Sequence, residues 1–155
     1  MKKIICSHGQ DTIEIKEIAL FTGYAFNFDF KAAKKSHIVE VGISKSKYSW
    51  CHHPVNTTWY IANDFVLHGS KFISRPKIGG YFGFWGICAG AEAIYYTNFK
   101  ENALCLAPYL GFGTNAFKLI IKPLIPITNK KFGYMNPVSV SASIQFISLK
   151  KTLVE

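Results

Sequence analysis

VSVSASIQFIS, residues 138–148, is the stretch that decides the fold. Val138, Val140, Ala142, Ile144 and Phe146 form an apolar row. Ser139, Ser141, Ser143 and Gln145, followed by Ile147, form a row that is almost wholly hydroxyl and amide. Side chains of an extended strand point alternately to opposite faces, so a period of two marks a β-strand with one apolar and one polar face. The same rhythm runs upstream. Residues 24–31 set Tyr24, Phe26, Phe28 and Phe30 against Ala25, Asn27, Asp29 and Lys31, and residues 117–122 set Phe117, Leu119 and Ile121 against Lys118, Ile120 and Lys122. Residues 37–45, 57–67, 77–84, 89–97 and 103–113 repeat the pattern less cleanly. Residues 11–20 alone have mixed helical character, and they read equally well as the lead into the first strand.

These segments amount to about eight strands. Gly, Asn, Ser and Pro clusters separate most of them, at residues 32–36, 49–56, 69–74, 98–102, 114–115 and 128–137. The weakest join is Gly83-Phe84-Trp85-Gly86, an apolar turn; were it continuous strand, the count would be odd. An open sheet of this size leaves two unpaired edges, whereas closure removes them. The expected fold is therefore all-β, an antiparallel up-and-down closed barrel of the outer-membrane type. It would occupy residues 19–149, after a lead-in at 1–18 (the remnant of an export signal, or disordered) and before a short tail at 150–155. Met1-Lys2-Lys3-Ile4-Ile5-Cys6 starts like an export signal, but its apolar core stops early.

The faces distinguish a soluble barrel, apolar within, from a membrane barrel, apolar without. Asp29, Glu40, Asp64, Glu92, Lys118 and Lys122 fall mid-strand, only one or two to a strand. Together with Ser141 and Gln145 they are expected to form a polar network in the lumen. Phe26, Phe28, Phe117, Leu119, Ile121, Val140 and Ile144 are expected to face lipid. Strands of about 9–11 tilted residues cross a bilayer, and these are long enough.

Composition agrees. Of 155 residues 17% are charged, against the usual ~25%, and 15% are aromatic. The net charge of +9 comes from scattered lysines. They suit solvated turns and termini, or a basic rim against anionic headgroups; no nucleic-acid motif accompanies them, and no nucleic acid is expected as a partner. Cys6, Cys51, Cys88 and Cys105 have no paired or metal-ligand spacing, and Cys88 and Cys105 read as small buried or lipid-facing hydrophobes.

RPKIGGYFGF at 75–84, GAEAIYYTN at 90–98 and LAPYLGFG at 106–113 together resemble small outer-membrane β-barrel proteins of Bacteroidetes-type bacteria. The likeness covers roughly residues 75–127, with weaker support at 24–30 and in the last strand, and its motifs mark strands and turns rather than chemistry. It implies a place in the outer membrane of a Gram-negative cell, contact with membrane lipids and lipopolysaccharide, and folding by the barrel-assembly machinery. The chain departs from the pattern in its short signal-like start. It departs again in its final aromatic, Phe146, which is followed by residues 147–155.

Reactive groups are few. Cys51-His52-His53 reads as a polar turn, since a structural zinc site usually needs four ligands at recognisable spacing; no metal or cofactor is expected. A lipid-modifying acyl enzyme would need a histidine such as His52, His53 or His68 beside Ser70 or Ser74 and an acid, but no nucleophile motif is present. Glu92 among apolar neighbours suits a lumen salt bridge to Lys118 or Lys122. The leading expectation is a barrel with a structural or surface-interaction role and no wide pore, because eight strands leave an interior just filled by side chains. A soluble lipocalin-like lipid-binding barrel is the inverted alternative. It requires Phe26, Phe28, Leu119 and Ile121 inside and Asp29, Lys118 and Ser141 outside.

Overall fold

In the computed structural model, residues 13–28, 35–50, 54–68, 71–97, 101–114, 116–129 and 137–154 are described. They form strands β1 (Ile13–Phe28), β2 (Lys35–Trp50), β3 (Pro54–His68), β4 (Lys71–Phe84), β5 (Ile87–Thr97), β6 (Asn102–Gly113), β7 (Phe117–Pro123), β8 (Ile125–Pro126) and β9 (Val138–Val154). From β1 to β7 each strand pairs antiparallel with the next, β7 pairs with β9, and β9 returns to β1. The result is a closed eight-stranded up-and-down barrel with β8 as the extra piece. Leu110↔Ile121 and Leu106↔Ile125 share one register, so β8 resumes β7's alignment on β6. Pro123 breaks the run because it has no N–H to give to a ladder.

The apolar join at residues 83–86 is a real turn. Trp85 (φ 54°) and Gly86 (φ 83°) both take the left-handed conformation, the signature of a type I′ hairpin, whose twist matches that of the flanking strands. Phe84 then pairs directly with Ile87. Neighbouring backbone ties it down: Trp85 N–H donates to Pro54 O (3.2 Å), and Gly113 N–H to Gly86 O (2.8 Å).

At its terminal end the barrel is longer than residues 19–149. Glu14 already pairs with Ser49 of β2 and Val154 of β9, so residues 13–18 of the expected lead-in and 150–154 of the expected tail are strand, while residues 1–12 lie outside the described ones. The alternation there was obscured because Ile15 and Glu17 share the inward row while Glu14, Lys16 and Ile18 take the outer one. The last strand also departs from simple alternation. Its register against β1 shifts between Ile18 and Ala19 and again between Leu20 and Phe21, leaving Leu149 and Phe146 without partners. These bulges turn Phe146, Ile147 and Leu149 all outward. Ile147 therefore leaves the polar row in which simple alternation puts it.

Inside, the rows of β2, β3 and β4 stack in layers. Ile38, Val66 and Ile73, with Ala25, form an apolar plug at the end where β1 turns into β2. Glu40, Asp64, Arg75 and Lys77 come next along the same strands, followed by Tyr60 and Tyr81 in an aromatic cluster with Phe21 and Tyr109. Ile94, Tyr96, Ala103 and Cys105 pack the β5–β6 wall. Gly79 permits a close approach beneath the ionic layer: a Cβ there would meet the Tyr60 hydroxyl at 2.7 Å and Glu92 Cγ at 2.9 Å.

Candidate functional site

The lumen collects nearly all the buried charge. Glu40, Asp64, Glu92, Lys118, Lys122 and Ser141 are all buried there. Gln145 is half-buried and lines a small cavity beside Lys118. Asp29 lies outside the described residues. Phe117, Leu119, Ile121, Val140 and Ile144 stand exposed on the outer face. Phe26 is a half-buried member of that face, edge-on to the His37 ring at 5.4 Å. Phe28 ends β1, and its side chain lies outside the described residues. The orientation of Leu119, Ile121, Lys118 and Ser141 is thus the reverse of what a soluble lipid-binding barrel requires.

Most of these charges neutralise one another across the barrel. Lys77 Nζ sits 2.8 Å from Glu40 Oε1 and 2.9 Å from Asp64 Oδ1. Arg75 reaches Asp64 at 3.5 Å and stacks over the Tyr96 ring at 4.5 Å. Lys122 Nζ meets Glu92 Oε2 at 2.6 Å, and the other Glu92 oxygen accepts the Tyr60 hydroxyl at 2.6 Å. Tyr60 and Tyr109 hydroxyls lie 3.1 Å apart. Lys77 and Asp64 are held by charge rather than by well-aligned hydrogen bonds. Dehydrating each ion costs several kcal/mol, which only close opposite charges offset; acids and bases on five different strands supply them.

Sequence reading missed Arg75, Lys77 and the tyrosines. The signal was present: Ile73, Arg75, Lys77, Gly79 and Tyr81 share one parity and one buried row. Starting the strand at residue 77 left Arg75 outside it and Lys77 at an apparent end.

Towards the terminal end the lumen opens. A cavity of about 360 Å³ is lined by Ile15, Glu17, Tyr48, Val55, Asn56 and Lys151, among others. The Tyr48 hydroxyl donates to Glu17 Oε2 at 2.5 Å in its wall.

Of the residues considered for an acyl enzyme, only Ser74 has a described side chain. Cys51, His52, His53 and Ser70 lie outside the described residues, as does the His68 side chain. Ser74 donates to Asn63 Oδ1 at 2.9 Å, and His37 bonds the Tyr24 hydroxyl on the outer face. Cys88 and Cys105 are buried free thiols. Among the described residues no three His, Cys, Asp or Glu side chains gather to hold a metal. Comparison with known protein families, curated proteins and solved structures finds no match to this chain.

Proposed function

We propose that this chain is an outer-membrane β-barrel of a Gram-negative bacterium, with a structural or surface-interaction role and no wide pore. The observation that carries the reading is the outer face itself. Val41, Ile43, Ile61, Ile78, Phe82, Leu106, Leu110, Leu119, Ile121 and Ile144 surround the barrel at 40–67% exposure. Soluble proteins rarely expose contiguous apolar patches beyond a few hundred Å², and this belt covers β2, β3, β4, β6, β7 and β9, with Tyr24 on β1 and Ile87 and Tyr95 on β5 exposed beside it. Lipid is the solvent it suits, and closure satisfies the backbone groups that lipid cannot. Membrane lipids and lipopolysaccharide are then its immediate partners, and the barrel-assembly machinery its route in. Trp59, Tyr24 and Tyr95, all exposed, suit the interfacial girdles. Exposed Lys16, Lys45, Lys47, Lys150 and Lys151 cluster on adjoining strands at the terminal end, where anionic headgroups would complement them.

The interior supports a barrel without a wide channel: Ile38, Ile73, Ile94 and Tyr96 are fully buried in it. The test is expression of the complete coding sequence followed by cell fractionation. The protein is expected in the outer-membrane fraction, migrating faster on gels before boiling than after. Recovery of folded protein in the soluble fraction would overturn the reading in favour of a water-soluble barrel.

A further inference from the structure

Among the described residues of the ionic layer, four buried cations (Arg75, Lys77, Lys118, Lys122) face three buried anions (Glu40, Asp64, Glu92). The anions are already engaged. Glu40 and Asp64 share Lys77, Asp64 also takes Arg75, and Glu92 takes Lys122 and the Tyr60 hydroxyl. Glu17, the remaining buried acid, is bonded to Tyr48 at the mouth. Lys118 is left over. It is only 8% exposed, and among the described residues it makes no ion pair or hydrogen bond. Its ammonium lies 4.6, 4.8 and 5.5 Å from the ring centroids of Tyr60, Tyr81 and Tyr109. Ring faces attract a cation without neutralising it, and a buried ion calls for a counter-charge.

The place for one is adjacent. A cavity of about 20 Å³ touches Lys118, and Ser44, Ser46, Thr58, Tyr81 and Ser143 are among the residues that line it. The Ser44 hydroxyl donates to Ala19 O at 3.5 Å, and the Ser46 and Thr58 hydroxyls bond each other at 2.9 Å; hydroxyl protons rotate, so these groups can turn to a charged acceptor instead. Access is built in. Two residues further along the same inward rows, Ser46 gives way to Tyr48, Thr58 to Asn56, Tyr81 to Gly83 and Lys118 to Ala116, all lining the large cavity at the terminal end. That cavity is mostly apolar in its lining.

We propose that Lys118 and the surrounding hydroxyls bind one small monovalent anionic group, either a free halide or the carboxylate head of a slender molecule whose chain lies in the terminal cavity. The small space excludes bulky, doubly charged oxyanions. The proposal goes beyond the membrane reading and stands whether or not lipid surrounds the barrel.

The test uses the full chain folded in zwitterionic detergent micelles, with sodium gluconate holding ionic strength constant. Sodium bromide and sodium octanoate are titrated separately, and NMR follows the Lys118 side-chain resonance together with the backbone amides of residues 44, 46 and 58, which remain in every variant. A saturable shift with bromide and no gain with octanoate identifies a free anion; octanoate binding about tenfold tighter identifies the head of an amphiphile. Lys118→Met should abolish either. No saturable shift with either salt, or unchanged affinity in Lys118→Met, would overturn the proposal. If Lys118→Met does not fold, Ser44→Val decides. It removes a lining hydroxyl and narrows the cavity, so binding should weaken several-fold, and unchanged binding would contradict the site.

Discussion

The two faces of β7 differ as sharply as two solvents. Lys118, Ile120 and Lys122 point inward and are at most 8% exposed, whereas Phe117, Leu119 and Ile121 point outward at 43–54%. In water this arrangement is upside down, with dehydrated ammonium groups within and aliphatic carbon without. Both halves make sense together if the interior supplies counter-charges and the exterior meets hydrocarbon. The contrast teaches that polarity alone does not say which side of a strand is inside; partners do. The inner face is specified by pairing, residue against residue, while the outer face needs only to be apolar.

Breaking the pairing should have the largest effect. Lys77→Met leaves Glu40 and Asp64 facing each other without their shared cation, and about 3–5 kcal/mol of stability should be lost. Urea unfolding in lipid vesicles measures it, and a loss below about 1 kcal/mol would mean that the network is wetter than its burial implies. Glu92→Gln is the milder form of the same test, since it strands Lys122 but keeps an acceptor for Tyr60.

The outer face comes next. Ile121→Lys places a charge within the belt, and about 2–4 kcal/mol should be lost in a bilayer. The same substitution would be neutral or helpful on a water-exposed surface, so its sign sharpens the comparison, whereas Ile121→Leu should change little. A smaller effect belongs to the hairpin joining β4 and β5. Trp85→Asn should stabilise by up to about 1 kcal/mol in thermal unfolding, because asparagine tolerates the left-handed conformation better than tryptophan.

The smallest effect lies at the terminal end, beyond the belt. The Lys47 ammonium, 2.9 Å from Glu14, holds that carboxyl below its ordinary range. Lys47 is half-exposed, so Glu14→Gln should cost less than about 1 kcal/mol at neutral pH. A lowered carboxylate stabilises above its unfolded pKa and loses that contribution as pH falls through the folded value. The difference between wild type and Glu14→Gln should therefore shrink on acidification, as unfolding curves taken across that range would report.

The barrel was legible because closure follows from strand count, and strand count from residues such as 138–148, where polar and apolar side chains alternate without exception until Phe146. Legibility failed where alternation is not local. The β9 bulges depend on how β1 lies alongside, so Ile147 could not be assigned from its neighbours in sequence. Lys118 and Lys122 were readable as inward because Leu119 and Ile121 flank them. Arg75 was not, since the inward row around it mixes isoleucine, glycine and tyrosine. The ion pairs were readable only as a need: Glu92 requires a base, but that Lys122 meets it while Lys118 turns to three tyrosines is set by three-dimensional register.

The most direct measurement of the contrast between the faces is solvent access at position 121. A spin label on Ile121→Cys, in protein with its native cysteines replaced and folded into vesicles, reports collisions with oxygen, which concentrates in lipid, and with a nickel chelate confined to water. High oxygen and low nickel access is the result predicted for a face held in hydrocarbon. High nickel access in folded protein would contradict it.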